Sequence, residues 1–445
     1  MANDYLDHFT INGVEVNIQD YGRDQPNGVP VLDPQGKLPT KYLPENYADK
    51  LLVSPEDPYN DKFVDWIVKL ASPAFKNRGK SWTQGTGENT AYTMQFLVYA
   101  NGLWVCGSEQ HGMWWSEDGK SWTQGTGANT TYTMQYLVYA NGLWVCGSSG
   151  RGVWWSEDGK SWTQGTGANT TYTMQYLAYA NGLWVCGSMR GVWWSEDGKS
   201  WTQGTGANTT YTMQYLVYAN GLLVCGSAKH GMWWSEDGKS WTQGTGVNTT
   251  YTMQDLAYAN GLWVCTSYND GIWWSEDGKS WTQGTGVDPT SHVWQPVYAN
   301  GLWVCTSYNN GIWWSEDGKS WTQGTGVKPS SNIHEPAYAN GLWVCGSTQH
   351  GVWWSEDGKS WTQGTGENTA YIMQYLVYAN GLWVCGSNGR GVWWSEDGKS
   401  WTQGTGANTT YTMQYLVYAN GLLVCGSAKH GMWWSGVPVY LPEMS

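Results

Sequence analysis

The sequence is poor in charge. Only 13 % of its 445 residues are Asp, Glu, Lys or Arg, and nowhere do lysines and arginines cluster. Nucleic acids and anionic membranes are held chiefly by grouped cations, so with a net charge of −13 neither is expected as a partner. No window approaches 18 consecutive apolar residues, which excludes an inserted membrane helix from the reading. Met1-Ala2-Asn3-Asp4-Tyr5 lacks the basic start and apolar core of a secretory signal. The expectation is a soluble chain, exported, if at all, by another route. A Gly-rich phosphate loop, HExxH and GxSxG are missing too, which removes the commonest sequence signs of catalysis.

What the chain has is repetition. GKSW occurs at 79, 119, 159, 198, 238, 278, 318, 358 and 398, every 40 residues except for one step of 39. WWSEDGKSW recurs letter for letter from 114, 154, 193, 233, 273, 313, 353 and 393, and a ninth copy is split between Gly431-Met432-Trp433-Trp434-Ser435 and Gly79-Lys80-Ser81-Trp82. A fixed period of this length means a closed or stacked repeat architecture.

Each unit holds four short runs of strand character. In the first complete unit they are Phe96-Leu97-Val98-Tyr99-Ala100 (A), Leu103-Trp104-Val105-Cys106-Gly107 (B), Met113-Trp114-Trp115-Ser116 (C) and Ser121-Trp122-Thr123-Gln124 (D). Asn101-Gly102 joins A to B, a strong hairpin signal because both central residues of a type I′ turn need positive φ. Asp118-Gly119 joins C to D. No run has the helical period. The pattern predicts an all-β fold: a nine-bladed β-propeller of four-stranded antiparallel blades. Because the array opens on a D strand and ends on a C strand, residues 80–85 are expected to pair with 431–435 and close the ring, leaving no blade with a bare edge.

Nine cysteines occupy one repeat position, Cys106 to Cys425. Equivalent positions on packed sheets stand roughly 10 Å apart, beyond the roughly 7 Å between Cα atoms that a disulfide spans. Buried thiols are expected, with no metal and no cofactor, since single thiols so spaced cannot surround an ion tetrahedrally. Thirty-four of the 36 tryptophans fall at repeated strand positions, where each buries roughly 150–250 Å². They are read as packing between blades rather than as a sugar platform.

Ser116-Glu117-Asp118-Gly119-Lys120-Ser121-Trp122 resembles a shortened Asp box, the BNR repeat S-x-D-x-G-x-[ST]-W of sialidase-like and other propellers. The resemblance implies that Asp118 accepts hydrogen bonds from turn amides, that Gly119 takes the left-handed turn position and that Trp122 packs between strands. This version is one residue shorter. The motif is structural in that family, and it implies a propeller rather than an enzyme.

The nine units also align with one another. YANG and SEDGK, at one end of the strands, are constant, whereas the B–C loops at the other end vary from Glu109-Gln110-His111 to Ala428-Lys429-His430, and the one deletion lies there. A constant scaffold under varied loops is the pattern of a recognition surface. One sector departs further. Where most units read N-T-T-Y-T-M-Q-Y-L, two adjacent ones read Asp288-Pro289-Thr290-Ser291-His292-Val293-Trp294-Gln295-Pro296 and Lys328-Pro329-Ser330-Ser331-Asn332-Ile333-His334-Glu335-Pro336. Pro296 and Pro336 are tolerable if strand A is the inner edge strand. These loops flank two further B–C tips, and the candidate binding residues are Tyr268, Asn269, Asp270, His292, Trp294, Tyr308, Asn309, Asn310, His334 and Glu335: aromatic surface beside directional polar groups, as a carbohydrate or peptide site requires. His292, His334 and Glu335 match no metal motif.

Residues 1–78 contain no repeat unit. The expected division is an attachment and oligomerisation arm over 1–59, a short helix and linker over 60–78, the propeller over 79–435 and a tail over 436–445. His8 to Val16 reads as a hairpin, and Phe63, Trp66, Ile67 and Leu70 share a helical face. Gly28-Val29-Pro30-Val31-Leu32-Asp33-Pro34-Gln35-Gly36-Lys37-Leu38-Pro39, followed by Tyr42-Leu43-Pro44, resembles a segment common in bacteriophage tail-fibre and related receptor-binding proteins. That resemblance implies a trimeric fibre in the virion tail, assembled in the host cytoplasm with other tail proteins and acting outside the cell on a bacterial surface glycan or protein. The tail GVPVYLPEMS echoes both ends of this stretch, and 436–442 are expected to pack beside 28–44.

The expected function is therefore non-enzymatic recognition through the variable face. A structural, amplified or designed propeller without a specific ligand is the alternative. A sialidase-like glycosidase is disfavoured: the family uses an arginine triad, and Arg151, Arg190 and Arg390 sit on loop tips too dispersed to converge on one carboxylate.

Overall fold

The computed structural model describes residues 8–11, 14–17 and 78–436, except 88–90, 128–130, 168–170, 207–210, 248–250, 288–291, 327–331, 367–370, 407–409 and positions 269, 309, 310 and 380. His8–Ile11 pairs with Val14–Asn17 as an antiparallel hairpin. The helix expected near residues 61–71, the tail-fibre-like segment, and the packing of 436–442 on 28–44 lie outside the described residues, apart from Gly436 itself.

The repeats form nine antiparallel sheets with strand order A-B-C-D. Blade I spans 94–124, II 134–164, III 174–203, IV 213–243, V 253–283, VI 293–323, VII 337–363 and VIII 373–403. Blade IX takes strands A to C from 413–436 and its D strand, Thr83–Gln84, from the other end of the array. Thr83 pairs with Trp434 and Gln84 with Trp433, so the ring closes as the split copy predicts. The Asn-Gly hairpins form as expected, with Asn101 at φ 49° and Gly102 at φ 74°.

Each hydrophobic core is shared by two blades. Leu103, Val105 and Met113 of blade I pack on Met134, Leu137, Trp144 and Cys146 of blade II. Across the closure Met94, Leu97 and Trp104 meet Leu422, Val424 and Met432. The nine thiols are buried and unbridged, and burial pushes that of Cys106 far above its ordinary value. Losing one such buried Trp to Ala costs about 3–5 kcal/mol, which is why the tryptophan pattern is so regular.

Three sets of contacts recur around the ring. The first is a backbone crossing after strand D: Thr126 N donates to Lys160 O at 2.9 Å, and Trp162 N returns a bond to Thr126 O at 2.8 Å. It forms a parallel bridge to the next blade. The glycine that follows is obligatory, because at Gly127, with φ +79°, a Cβ would stand 2.1 Å from Trp162 O. The second is the hairpin turn. Asp118 Oδ1 accepts from Lys120 N at 2.8 Å, Ser121 N at 2.7 Å and Ser116 Oγ at 2.9 Å. Partial burial opposes the charge on Asp118, but these bonds outweigh it and hold the carboxyl below its usual range. The third is a cation clasp. Lys160 lies 4.3 Å over the Trp115 ring of the preceding blade and pairs with Glu117 at 2.6 Å. Partly exposed, such contacts are worth about 0.5–1 kcal/mol each.

The junction between blades IX and I keeps the ring contact, with Lys120 at 4.4 Å over Trp434. Gly436 occupies the place of Glu117, however, and no carboxylate pairs with Lys120 among the described residues. The split hairpin is altered as well: Arg78 replaces the turn aspartate and reaches Tyr418 Oη at 2.7 Å, while Gly79 N donates to Ser435 Oγ at 2.7 Å. This hairpin should be the least protected. In native-state hydrogen exchange, amides of 80–84 and 432–436 are expected to exchange faster than their counterparts in the eight intact hairpins. Equal protection throughout would contradict a weakened closure.

Candidate functional site

On the variable face, in six blades, the residue before the glycine that closes the B–C tip meets the tyrosine that enters its own strand A. His111 stacks on Tyr92 at 3.6 Å, His230 on Tyr211 at 3.3 Å and His430 on Tyr411 at 3.4 Å between ring centroids. Arg151 lies 4.7 Å over Tyr132, Arg190 5.8 Å over Tyr172 and Arg390 4.7 Å over Tyr371. Six blades thus cap their tips with a cation or imidazole on an aromatic face. Much of the variation among those loops is an exchange of His for Arg in one packing role. Each of the three arginines is engaged on its own tyrosine.

Blades V, VI and VII break this pattern. Asp270, Asn310 and His350 hold the tip position, and Ser291 and Ser331 replace the entering tyrosine in VI and VII. Here the structure brings four of the expected residues together. His292 lies at 4.0 Å from Tyr268, 4.8 Å from Trp294 and 6.1 Å from Tyr308 between ring centroids. Trp294 Nε1 donates to His292 Nε2, and Gln254 Oε1 stands 2.9 Å from the same nitrogen. Burial lowers the basicity of His292, which favours the neutral imidazole that accepts the indole hydrogen. Tyr268 and Tyr308 remain 48 % and 45 % exposed, so the cluster presents a rigid aromatic surface to solvent.

Asp270 is tied into its own blade, its carbonyl accepting from Trp273 Nε1 at 3.0 Å and from Gln283 Nε2 at 2.9 Å. Burial raises its carboxyl above its ordinary value. Asn269, Asn309 and Asn310 lie outside the described residues.

His334 and Glu335 belong to a different wall. Strand A is the innermost strand, as expected, and a bulge interrupts its register in eight blades. Strand A of blade VI stays continuous through Pro296, from Val293–Ala299. In blade VII, Pro336 cuts it to Ala337–Ala339, with Ile333 and Ser347 left as an isolated bridge. The expectation that an inner edge strand tolerates proline holds for the fold, at the cost of ladder bonds in blade VII.

The position at the bulge is aromatic in six blades, Phe96, Tyr136, Tyr176, Tyr215, Tyr375 and Tyr415, and polar in three consecutive ones, Asp255, Gln295 and Glu335. One cavity of 580 Å³ touches strand A of five blades, which places it in the central channel. Phe96, Tyr375 and Tyr415 line it from blades I, VIII and IX, and Gln295, His334 and Glu335 from the adjoining blades VI and VII. Gln295 Nε2 donates to Glu335 Oε2 at 3.2 Å, and Gln295 N donates to Asp255 Oδ2 at 3.0 Å. Enclosure by protein and then the neighbouring Asp255 push the Glu335 carboxyl up. Burial does the same to Asp255, against hydrogen bonds from Gln295 and Tyr215.

Sequence reasoning missed Asp255 and the role of Gln295. The signal was a single letter, Q-D-L at 254–256 where other repeats read Q-Y-L. It also missed that most tip cations are already stacked.

No protein-family model matches the chain, and no curated protein matches it. Solved structures share its architecture. The computationally designed Ika8 protein superposes with a TM-score of 0.52 at 11 % identity, over 80 % of this chain and 100 % of its own. BamB from Moraxella catarrhalis gives 0.46 at 11 % identity, over 68 % and 96 %. At 11 % identity the likeness to Ika8 is one of fold.

The raised carboxyl of Asp255 has a stability consequence. An unfolded aspartate ionises near pH 3.9, whereas folded Asp255 holds its proton to higher pH. It therefore costs nothing below the unfolded value, and destabilises increasingly as pH rises through the folded one. Asp255→Asn should raise Tm at pH 7, with the gain vanishing near pH 3. Thermal melts at the two pH values test this, and a variant less stable than the parent at pH 7 would contradict it.

Proposed function

We propose that the protein is a non-enzymatic recognition propeller that holds a bacterial surface glycan on the arc of blades V to VII. The observation that carries this reading is the convergence of Tyr268, His292, Trp294 and Tyr308 in the one sector where the tips are not capped by His or Arg on tyrosine. Aromatic faces suit the apolar faces of sugar rings, and neighbouring amides and carboxylates fix hydroxyl orientation. A glycan is preferred to a protein receptor because the four rings form a small platform, far below the area a protein partner covers.

The N-terminal segment Gly28 to Pro44 supports placing this module at the end of a phage tail fibre. Residues 1–59 would then serve as the attachment and trimerisation arm, alongside other virion tail proteins. The full chain should sediment as a trimer; a monomer at micromolar concentration would remove the fibre part of the proposal.

Ligand recognition is testable by glycan-array and whole-cell binding with the intact protein. Tyr268→Ala, Trp294→Ala and Tyr308→Ala should each weaken binding by about tenfold or more, corresponding to roughly 1.4 kcal/mol. Arg151→Ala, on a capped tip, should leave it unchanged. Equal losses from the two kinds of variant, or a silent array with no cell adhesion, would contradict the proposal.

A further inference from the structure

The central channel is unlike the recognition arc. Its cavity of 580 Å³ is of a size that holds a small organic molecule. Three aromatic side chains, Phe96, Tyr375 and Tyr415, form one flank, and the Tyr375 and Tyr415 rings stand 5.1 Å apart at a 39° tilt. Beside Tyr375, at the equivalent position of the adjoining blade, is Glu335, which is solvent-accessible and bonded on one oxygen by Gln295. Behind Gln295 sits Asp255, only 6 % exposed, whose Oδ1 takes no hydrogen bond among the described residues.

No lysine or arginine lines this cavity. Its one histidine, His334, lies 3.3 Å from Gln374 Nε2 and is made less basic by burial, so it supplies no counter-charge at neutral pH. The Glu335 carboxyl therefore lines the cavity, with that of Asp255 buried behind Gln295, and no lysine or arginine of the lining balances them.

We propose that the central channel is a second binding site, for a small organic cation with an alkylammonium or quaternary ammonium head. Such a group would sit between the carboxylate of Glu335 and the faces of Tyr375, Tyr415 and Phe96, where ring quadrupoles and a formal negative charge attract it together. It would also relieve the repulsion between Glu335 and Asp255. A metal ion fits less well: among the described residues no three His, Cys, Asp or Glu side chains are grouped to hold one, and the adjoining blades supply mainly aromatic rings. An anion would meet two carboxyls without a compensating donor of positive charge.

The test uses the full chain and choline, with 3,3-dimethylbutan-1-ol as its neutral isostere, by isothermal titration calorimetry. Choline should bind saturably at millimolar concentration or below, and the alcohol at least about tenfold more weakly. Glu335→Gln and Tyr415→Leu should each weaken choline by a similar factor while retaining the parental circular dichroism. Tyr268→Ala, on the variable face, should leave choline binding intact whether or not it abolishes glycan binding. The proposal is overturned by equal binding of choline and the alcohol, by no saturable choline binding, or by undiminished affinity in both channel variants.

Discussion

The structure depends on one crossing: the chain leaves each outer strand, bonds in parallel to the start of the next blade's outer strand, and only then turns inward. Thr126 with Lys160 and Trp162 is the pattern, and Thr405 with Lys80 and Trp82 repeats it across the closure. Outer strands of two residues, such as Thr163–Gln164, would hold little on their own. Tied to the neighbour, they stop being edges available to other chains. The crossing also fixes the distance between blades, and so the depth at which Trp144, Cys146 and Met134 interlock with the preceding sheet.

This mechanical role explains the uneven tolerance of the repeats. SEDGKSWTQGTG carries the turn aspartate, the clasp lysine, the buried indole and the glycine that lets the crossing approach Trp162 O, so nearly every letter answers to a contact. In six blades the B–C tips carry one recurring side-chain contact, a ring or cation on the entering tyrosine, and vary within it. Blades V to VII abandon even that contact. They also accept two prolines in strand A and place Asp255 and Glu335 where the other blades have aromatic rings. A buried, unbalanced carboxyl and lost ladder bonds reduce stability, and their concentration in one third of the ring is what a site built at the scaffold's expense looks like.

The fold was legible because its signals are local and nine times repeated. Asn101-Gly102 states its turn, the short runs of strand character state the strands, and the split WWSEDGKSW states the closure. The turn bonds of Asp118 were legible from the hairpin's own letters. The crossing was not, because nothing in G-T-G says that a threonine will bond to a strand 35 residues on. The site was legible by contrast among repeats: Trp294, His292, Tyr268 and Tyr308 stand out and do meet. His334 and Glu335 stand out equally, yet line the channel, because Pro336 cuts strand A of blade VII to Ala337–Ala339 and leaves both residues outside the ladder. Asp255 escaped notice as one letter inside an otherwise regular strand.

The central claim is that the propeller is a constant frame with its recognition surface confined to blades V to VII. Replacing residues 268–270, 288–296, 308–310 and 328–336 together by the sequences of blade II tests it most directly, with binding to host cells or an array glycan as the readout beside thermal stability. The account predicts a folded protein, at least as stable as the parent, that no longer binds. A chimera that binds as the parent does would contradict it.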